Sequence, residues 1–227
     1  MIIYGKQVVR YAALHPSKPV QTLFLSKDID PKLFKELAQC GARVERVDTM
    51  KAQAMAKGGN HQGMLAKITH LEFAPATSFY GYNFVVMTAG VTDMGNLGAI
   101  VRTAWALGAQ GLVIGGLESP NLEALIRTSS GAALDMPLCS APKPMELIGL
   151  LKQQGFCVVG ATLTGEDRRD FSDLPQKRLL VLGAEGEGLS GRIERALDQA
   201  VTIAMARPFD SLNVASAAAI LIDRMRA

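Results

Sequence analysis

Asn96 and Arg102 stand in the run Val91-Thr-Asp-Met-Gly-Asn-Leu-Gly-Ala-Ile-Val-Arg-Thr-Ala-Trp105, where a strand-like stretch, Phe84-Val-Val-Met87, feeds a loop and then a helix. Two polar side chains, one permanently charged, delivered to the carboxyl end of a strand mark a candidate site. A guanidinium holds its proton too tightly to be a good base, so stabilisation of an anionic oxygen or a phosphate is the physically safer chemistry for Arg102. Leu97, Val101, Ala104 and Gly108 have the spacing of a helix face turned to a core. Gly98 and Arg102, four apart, share another face, where the glycine leaves room for a ligand. The same residues have a plainer reading, with Asn96 as a helix cap and Arg102 as a solvated cation.

Two later segments have the same strand-then-loop character: Leu179-Leu-Val-Leu-Gly-Ala-Glu-Gly-Glu-Gly-Leu-Ser190 and Val201-Thr-Ile-Ala-Met-Ala-Arg-Pro-Phe-Asp-Ser-Leu-Asn-Val-Ala215. Gly183 to Gly188 has the glycines of a phosphate-cradling loop. Its spacing is that of neither a dinucleotide fingerprint nor a P-loop, and it lacks the lysine of the latter. Glu185 and Glu187 would repel phosphate. A tight backbone with acidic side chains suits a ligand read by main-chain groups and carrying a sulfonium or ammonium charge, although a simple strand-to-helix turn reads the same way. Asp210-Ser-Leu-Asn213 opens a helix that runs to about Met225, with Asp210 or Ser211 as the expected N-cap.

Positioning these residues requires strands that end together. From Tyr82 onward, apolar strands near Phe84–Met87, Leu112–Ile114, Cys157–Ala161, Leu179–Leu182 and Val201–Ile203 alternate with helical stretches, the pattern of a parallel sheet covered on both faces. Ligands of such sheets bind beyond the strand carboxyl ends, where all three segments lie. Residues 1 to 70 form a smaller α/β unit: a helix over Gly5 to Leu14, a strand at Thr22–Leu25, a helix from Pro31 to Gln39, a strand at Arg43–Val47, a short helix, and a last strand from Met64 to Thr69. The turn-rich, uncharged stretch Phe73 to Gly81 reads as a linker. This divides the chain into 1–72, 73–81 and 82–227.

With 227 residues, the chain accommodates one main domain and a small module. No apolar run reaches the ~18 residues that span a bilayer, and Met1-Ile-Ile-Tyr-Gly-Lys-Gln lacks the pattern of a secretory leader, so a cytoplasmic protein is expected. Cys40, Cys139 and Cys157 are odd in number and widely spaced, as expected of buried reduced thiols and not of a disulfide framework or zinc site. His15, His61 and His70 are too scattered for a catalytic triad or metal centre. A nicotinamide oxidoreductase is excluded by the missing fingerprint. The net charge of +3 is uneven: residues 1–75 hold 11 Lys and Arg against 6 Asp and Glu, whereas residues 76–227 hold 13 against 15. Such a basic module fits a polyphosphate partner, or an ordinary solvated surface.

In order and character, the three segments resemble the motifs of the SPOUT superfamily of RNA methyltransferases, within it the TrmH-like enzymes that methylate ribose 2′-hydroxyls, with the RlmB-like rRNA enzymes as the nearest branch. Two residues depart from the family pattern: Met94 and Ala204 each stand where a proline is usual, a change of backbone-shaping residue with no loss of a chemical group. The resemblance implies an α/β fold in which a C-terminal SPOUT domain, a parallel sheet with a deep trefoil knot near Leu180 to Ala227, follows a small ribosomal-protein-like substrate-binding domain. Asn60-His-Gln-Gly63 resembles the turn before the last strand of that smaller domain. The resemblance also implies a homodimer and S-adenosylmethionine as cofactor. It carries Arg102, in the family the proposed acceptor of the hydroxyl proton, together with Asn96, Glu185, Ser211 and Asn213 over to the catalytic site, and Gly183, Ile203 and Leu212, with the backbone of the Ala161–Leu163 loop including Thr162, and Met205 and Ala215, to the cofactor. The implied reaction is 2′-O-methylation of structured RNA, first of all a guanosine in 23S rRNA. The alternatives are a tRNA ribose methyltransferase and a catalytically silent RNA-binding assembly factor.

Overall fold

Asp30 followed by Pro31, and Asp48, start two helices in the first seventy residues. The carboxylate of Asp30 accepts from the backbone N–H groups of Lys32 and Leu33, and that of Asp48 from Lys51 at 2.7 Å. In the computed structural model, which describes residues 1–15 and 19–226, these helices are α2 (Pro31–Ala38) and α3 (Thr49–Met55). With α1 (Lys6–Leu14) they accompany a four-stranded sheet of β1 (Ile2–Tyr4), β2 (Val20–Leu25), β3 (Arg43–Arg46) and β4 (Met64–Ile68), in the order β1-β4-β2-β3. Only β2 and β3 run parallel. Strand β1 is absent from the sequence reading because three residues are too few to show an alternation. Phe24, Val47, Ala52, Ala56 and Leu65 form a core of this unit.

The Asn60–Gly63 turn is held by its own side chains. Asn60 accepts from the N–H of Gln62, the buried His61 accepts at Nδ1 from Gly63, and Gln62 Oε1 accepts from the N–H of Lys6 at the start of α1. This unit also takes in residues 121–135, which the sequence reading placed in the second domain. There α5 (Leu122–Thr128) and a 3-10 turn (Ala132–Leu134) meet the first residues of the chain. Arg127 donates to the Tyr4 hydroxyl at 2.6 Å and lies over its ring, Lys57 pairs with Glu123, and Tyr11 donates to Asp135 at 2.6 Å.

The second unit, residues 73–120 and 136–227, is built on six strands: β5 (Phe84–Ala89), β6 (Gly111–Gly115), β7 (Leu138–Ala141), β8 (Cys157–Glu166), β9 (Arg178–Gly183) and β10 (Gln199–Val201). All pairings are parallel, in the order β10-β8-β9-β5-β6-β7. Every residue of β5, β6 and β9 is buried, as required of strands covered on both faces. The helices are α4 (Met94–Ala106), α6 (Pro144–Gln153), the short α7 (Gly191–Glu194) and α8 (Val214–Met225), with α8 packed against α4 and β9. Although β9 comes late in the chain, it inserts beside β5 with Ala89 opposite Gly183. The loops that follow these two strands therefore leave the sheet side by side.

Three expectations are revised. The last strand is Gln199–Val201, not Val201–Ile203: Val201 pairs with Glu166 of β8, and the Thr202 N–H donates to the Glu166 carbonyl at 2.9 Å where that pairing ends. Thr162 and Leu163 lie on a prolongation of β8, not in a loop; past Gly160, β8 loses β9 as partner, and β10 meets it again at Glu166 through a bulge. Cys139 is buried, whereas Cys40 and Cys157 are half-buried. Desolvation raises the thiol pKa of Cys139 and, with help from Asp198, that of Cys157. Among the described residues no helix is long and apolar enough to cross a membrane, and no group of His, Cys, Asp and Glu could hold a metal ion.

The stretch read as a linker holds a 3-10 turn, Ala76–Phe79, whose last residue is fully buried in the core of the second unit and meets Tyr82 edge-on. Phe79→Ala is therefore expected to cost about 3–5 kcal/mol of unfolding free energy, read as a lowered midpoint in urea denaturation. An unchanged midpoint would mean that this stretch is only a connector.

Candidate active site

At the mouth of the second unit, the three sequence segments converge on one carboxamide. Asn213 donates from Nδ2 to Asn96 Oδ1 at 3.0 Å and to Glu185 Oε1 at 2.5 Å. Its Oδ1 accepts from the N–H groups of Ala215 and Ser216 at 2.9 and 3.4 Å, so Asn213, and not Asp210 or Ser211, caps α8. Asn96 is likewise not the cap of α4. Asp93 holds that position, accepting from the Asn96 N–H at 2.7 Å, which leaves the Asn96 side chain to reach Asn213.

Glu185 is presented by a tight loop. Ala184 and Gly188 exchange two backbone hydrogen bonds, at 3.1 and 2.9 Å, and Gly186 turns the chain between them at φ +78°. Gly183 admits no side chain: a methyl group there would lie 2.2 Å from the carbonyl carbon of Gly188. The motif is thus a pinched backbone turn whose glutamates project outward, exposed.

Beside this loop lies a cavity of about 480 Å³. It is lined by Gly183, Thr162, Leu163, Ile203, Met205 and Leu212, and by Glu185, Ser211 and Asn213 from the expected catalytic set. Asn96 joins through Asn213. Ala215 is not in the lining and acts through the N–H it gives to Asn213. Arg102 lies on the exposed surface of α4, six residues beyond Asn96, and is not in the lining either. The sequence reading missed Leu182, Phe209, Val214, Ala217 and Leu221. The signal for three of these was present: Val214, Ala217 and Leu221 follow the i, i+3, i+7 spacing of one helix face. Thr162 Oγ1, in the wall, is buried without a hydrogen-bond partner.

Both departures from the family pattern have a local account. Met94 is the first residue of α4, where proline is favoured but not required. Ala204, unlike a proline, has an N–H, which hydrogen-bonds Asp167. That bond, followed by the guanidinium of Arg224, holds the Asp167 carboxyl below the usual carboxylate range. Arg224 of α8 also donates to the carbonyl of Arg168, so this contact ties the cavity wall to the loop after β8 and to the end of α8.

Comparison with known proteins identifies this arrangement. Residues 83–223 match the SpoU rRNA Methylase family, and residues 2–74 match the RNA 2′-O ribose methyltransferase substrate binding family. The chain is 28% identical over 232 residues to an uncharacterized tRNA/rRNA methyltransferase of Synechocystis sp., covering 96% of this chain but only 60% of the length of that protein. It is 26% identical to the 23S rRNA (guanosine-2′-O-)-methyltransferase RlmB of Neisseria meningitidis, over 99% of this chain and 94% of that one. Among solved structures, the SpoU methyltransferase AviRb of Streptomyces viridochromogenes, in complex with AdoMet, superposes with a TM-score of 0.78 at 25% identity, over 99% of this chain and 88% of that chain.

Asn213→Asp keeps the cap oxygens but sets a carboxylate against Glu185. We expect α8 to stay folded, with the unfolding midpoint little changed, and the mouth of the cavity to open. Because one of two adjacent carboxyls then takes up a proton more readily, ligand binding by the variant should recover in part as pH falls from 8 towards about 5. Binding that is unaffected at every pH would show that the bridge has no part in shaping the site. Asp167→Asn should destabilise the wild-type fold at neutral pH. That difference should vanish as acid protonates the wild-type carboxyl, because the stabilisation of a depressed carboxylate is lost as pH falls through its folded pKa; thermal melts at pH 7 and about pH 3 check it.

Proposed function

The chain belongs to the SpoU rRNA Methylase family, and from that premise we propose that it transfers a methyl group from S-adenosylmethionine to the ribose 2′-oxygen of a guanosine in 23S rRNA. The observation that carries the reading is the cavity beyond the carboxyl ends of the strands, bordered by Asn213 and Glu185 of the Asn96–Asn213–Glu185 bridge. Its residues fit the cofactor. Gly183, Ile203 and Leu212, with Thr162, Leu163 and Met205, would hold it. The unpartnered Thr162 hydroxyl awaits a polar ligand atom, and the acidic loop suits a cation. Bound S-adenosylmethionine supplies a methyl group activated by its sulfonium charge.

The chain supplies the rest. The walls formed by Leu182, Ile203 and Leu221 exclude water, which favours a reaction that consumes opposite charges. Arg102 stabilises the forming alkoxide or the adjacent phosphate, the role a guanidinium fills best. Ser211 faces the cavity beside Asn213 and positions the substrate hydroxyl, and Asn96 and Glu185 fix the two loops through Asn213. Residues 1–72 bind the RNA, a role supported by their match to the substrate-binding family and by their basic balance. The match to nearly the whole length of the Neisseria RlmB supports rRNA over tRNA as substrate. A trefoil knot in the C-terminal part of the chain, a homodimer and a cytoplasmic location complete the reading, as the membership of the family implies.

The test is transfer of labelled methyl to unmodified 23S rRNA and to tRNA in parallel, with mass spectrometry of the digested product. We expect label on a ribose of 23S rRNA. Arg102→Ala should lower kcat by about 10²-fold or more, with the dissociation constant of the cofactor within about twofold. Label on tRNA alone would overturn the substrate. No label on either RNA, with cofactor binding intact, would point to a substrate within a ribosomal particle or to a silent RNA-binding factor.

A further inference from the structure

Phe209 and Leu163 are each 74% exposed, far beyond what is usual for large apolar side chains, and both line the same cavity. Single exposed hydrophobics are common and need no explanation. These two come from separate elements, the prolongation of β8 and the loop before α8, and both belong to the exposed part of the cavity lining. Phe209 lies four residues before the bridging Asn213 and two before Ser211. Arg207, also exposed, precedes it by two residues. An exposed aromatic face with a neighbouring arginine is the chemistry by which proteins hold an unstacked base and its phosphate.

We propose that Phe209 is a stacking platform for a nucleobase of the RNA substrate, with Leu163 as the apolar edge across the opening and Arg207 on the backbone phosphate. The inference rests on the reading of the chain as an RNA methyltransferase and adds a residue that positions the target nucleoside. A nucleobase is the occupant favoured here because the ribose to be methylated must reach the interior of the cavity, which leaves its base at the rim. A ribose presented with its base unstacked in water would have many orientations; a base laid on a ring has few, and the 2′-hydroxyl is then directed inward.

The experiment uses the full chain with an RNA substrate and follows methyl transfer, RNA affinity, cofactor affinity and oligomeric state together. Phe209→Ala should lower kcat/KM for RNA about tenfold or more, the loss expected for one stacked base, with the cofactor dissociation constant and the sedimentation coefficient unchanged. Phe209→Trp and Phe209→Tyr should retain activity. Phe209→Leu, apolar but without a π face, should behave like the alanine variant. Activity retained by Phe209→Leu would overturn stacking. Weakened cofactor binding would assign the ring to the cofactor instead, and a wild-type dimer that dissociates on Phe209→Ala would assign it to a second copy of the chain; either outcome sinks the proposal. If the wild type methylates no RNA, the reading of its function fails separately. RNA affinity at saturating cofactor then decides: an equal affinity for wild type and Phe209→Ala overturns the platform, and a loss of about tenfold upholds it.

Discussion

The carboxamide of Asn213 is fully committed. Its oxygen starts α8 by taking two backbone N–H groups, and its nitrogen holds Asn96, from the first turn of α4 that follows β5, and Glu185, from the loop after β9. An amide is the smallest side chain that offers an acceptor on one side and two donors on the other; a carboxylate or a hydroxyl fails one half of the task. Capping of the last helix and closure of the site are therefore one event. The arrangement is possible only because β9 inserts next to β5, so that loops about ninety residues apart in sequence emerge as neighbours. Burial of the central strands on both faces fixes that insertion, and the site inherits its geometry from the core.

Much of this was legible before any coordinate. Strands β5, β6 and β9 are buried on both faces and so appear as unbroken apolar runs, and the motif residues fall at their ends. The identity of the helix cap was not legible, because Asp210, Ser211 and Asn213 are all competent caps within four residues. The choice is made by partners 117 and 28 residues away. The prolongation of β8 was equally hidden: Ala161 to Glu166 is rich in Thr and Gly, its pairing with β9 has ended, and the short β10 that rejoins it has almost no signal of its own. Strand β7, Leu138–Ala141, was missed for the same reason of length.

Charge was legible as a sum and not as an arrangement. Several of the cations in the first unit are already engaged, Arg10 with Glu36, Arg46 with Asp28 and Lys57 with Glu123. Exposed pairs of this kind contribute little to stability, but they lower the local field that a phosphate backbone would meet. Residues 121–135 bring two acids, Glu123 and Asp135, and one base, Arg127, so the completed unit is slightly less basic than its contiguous sequence suggests.

That same excursion bears on how the molecule comes into being. The first unit is not finished at residue 72: Tyr4, Tyr11 and Lys57 find their partners only at Arg127, Asp135 and Glu123. During synthesis these contacts can form only once the chain has passed residue 135. By then β5 and β6 of the second unit have already emerged, while β9, which must slip in beside β5, has not. The two units therefore mature in overlap, not in succession, and a cut at the apparent boundary would separate the first unit from part of its own structure.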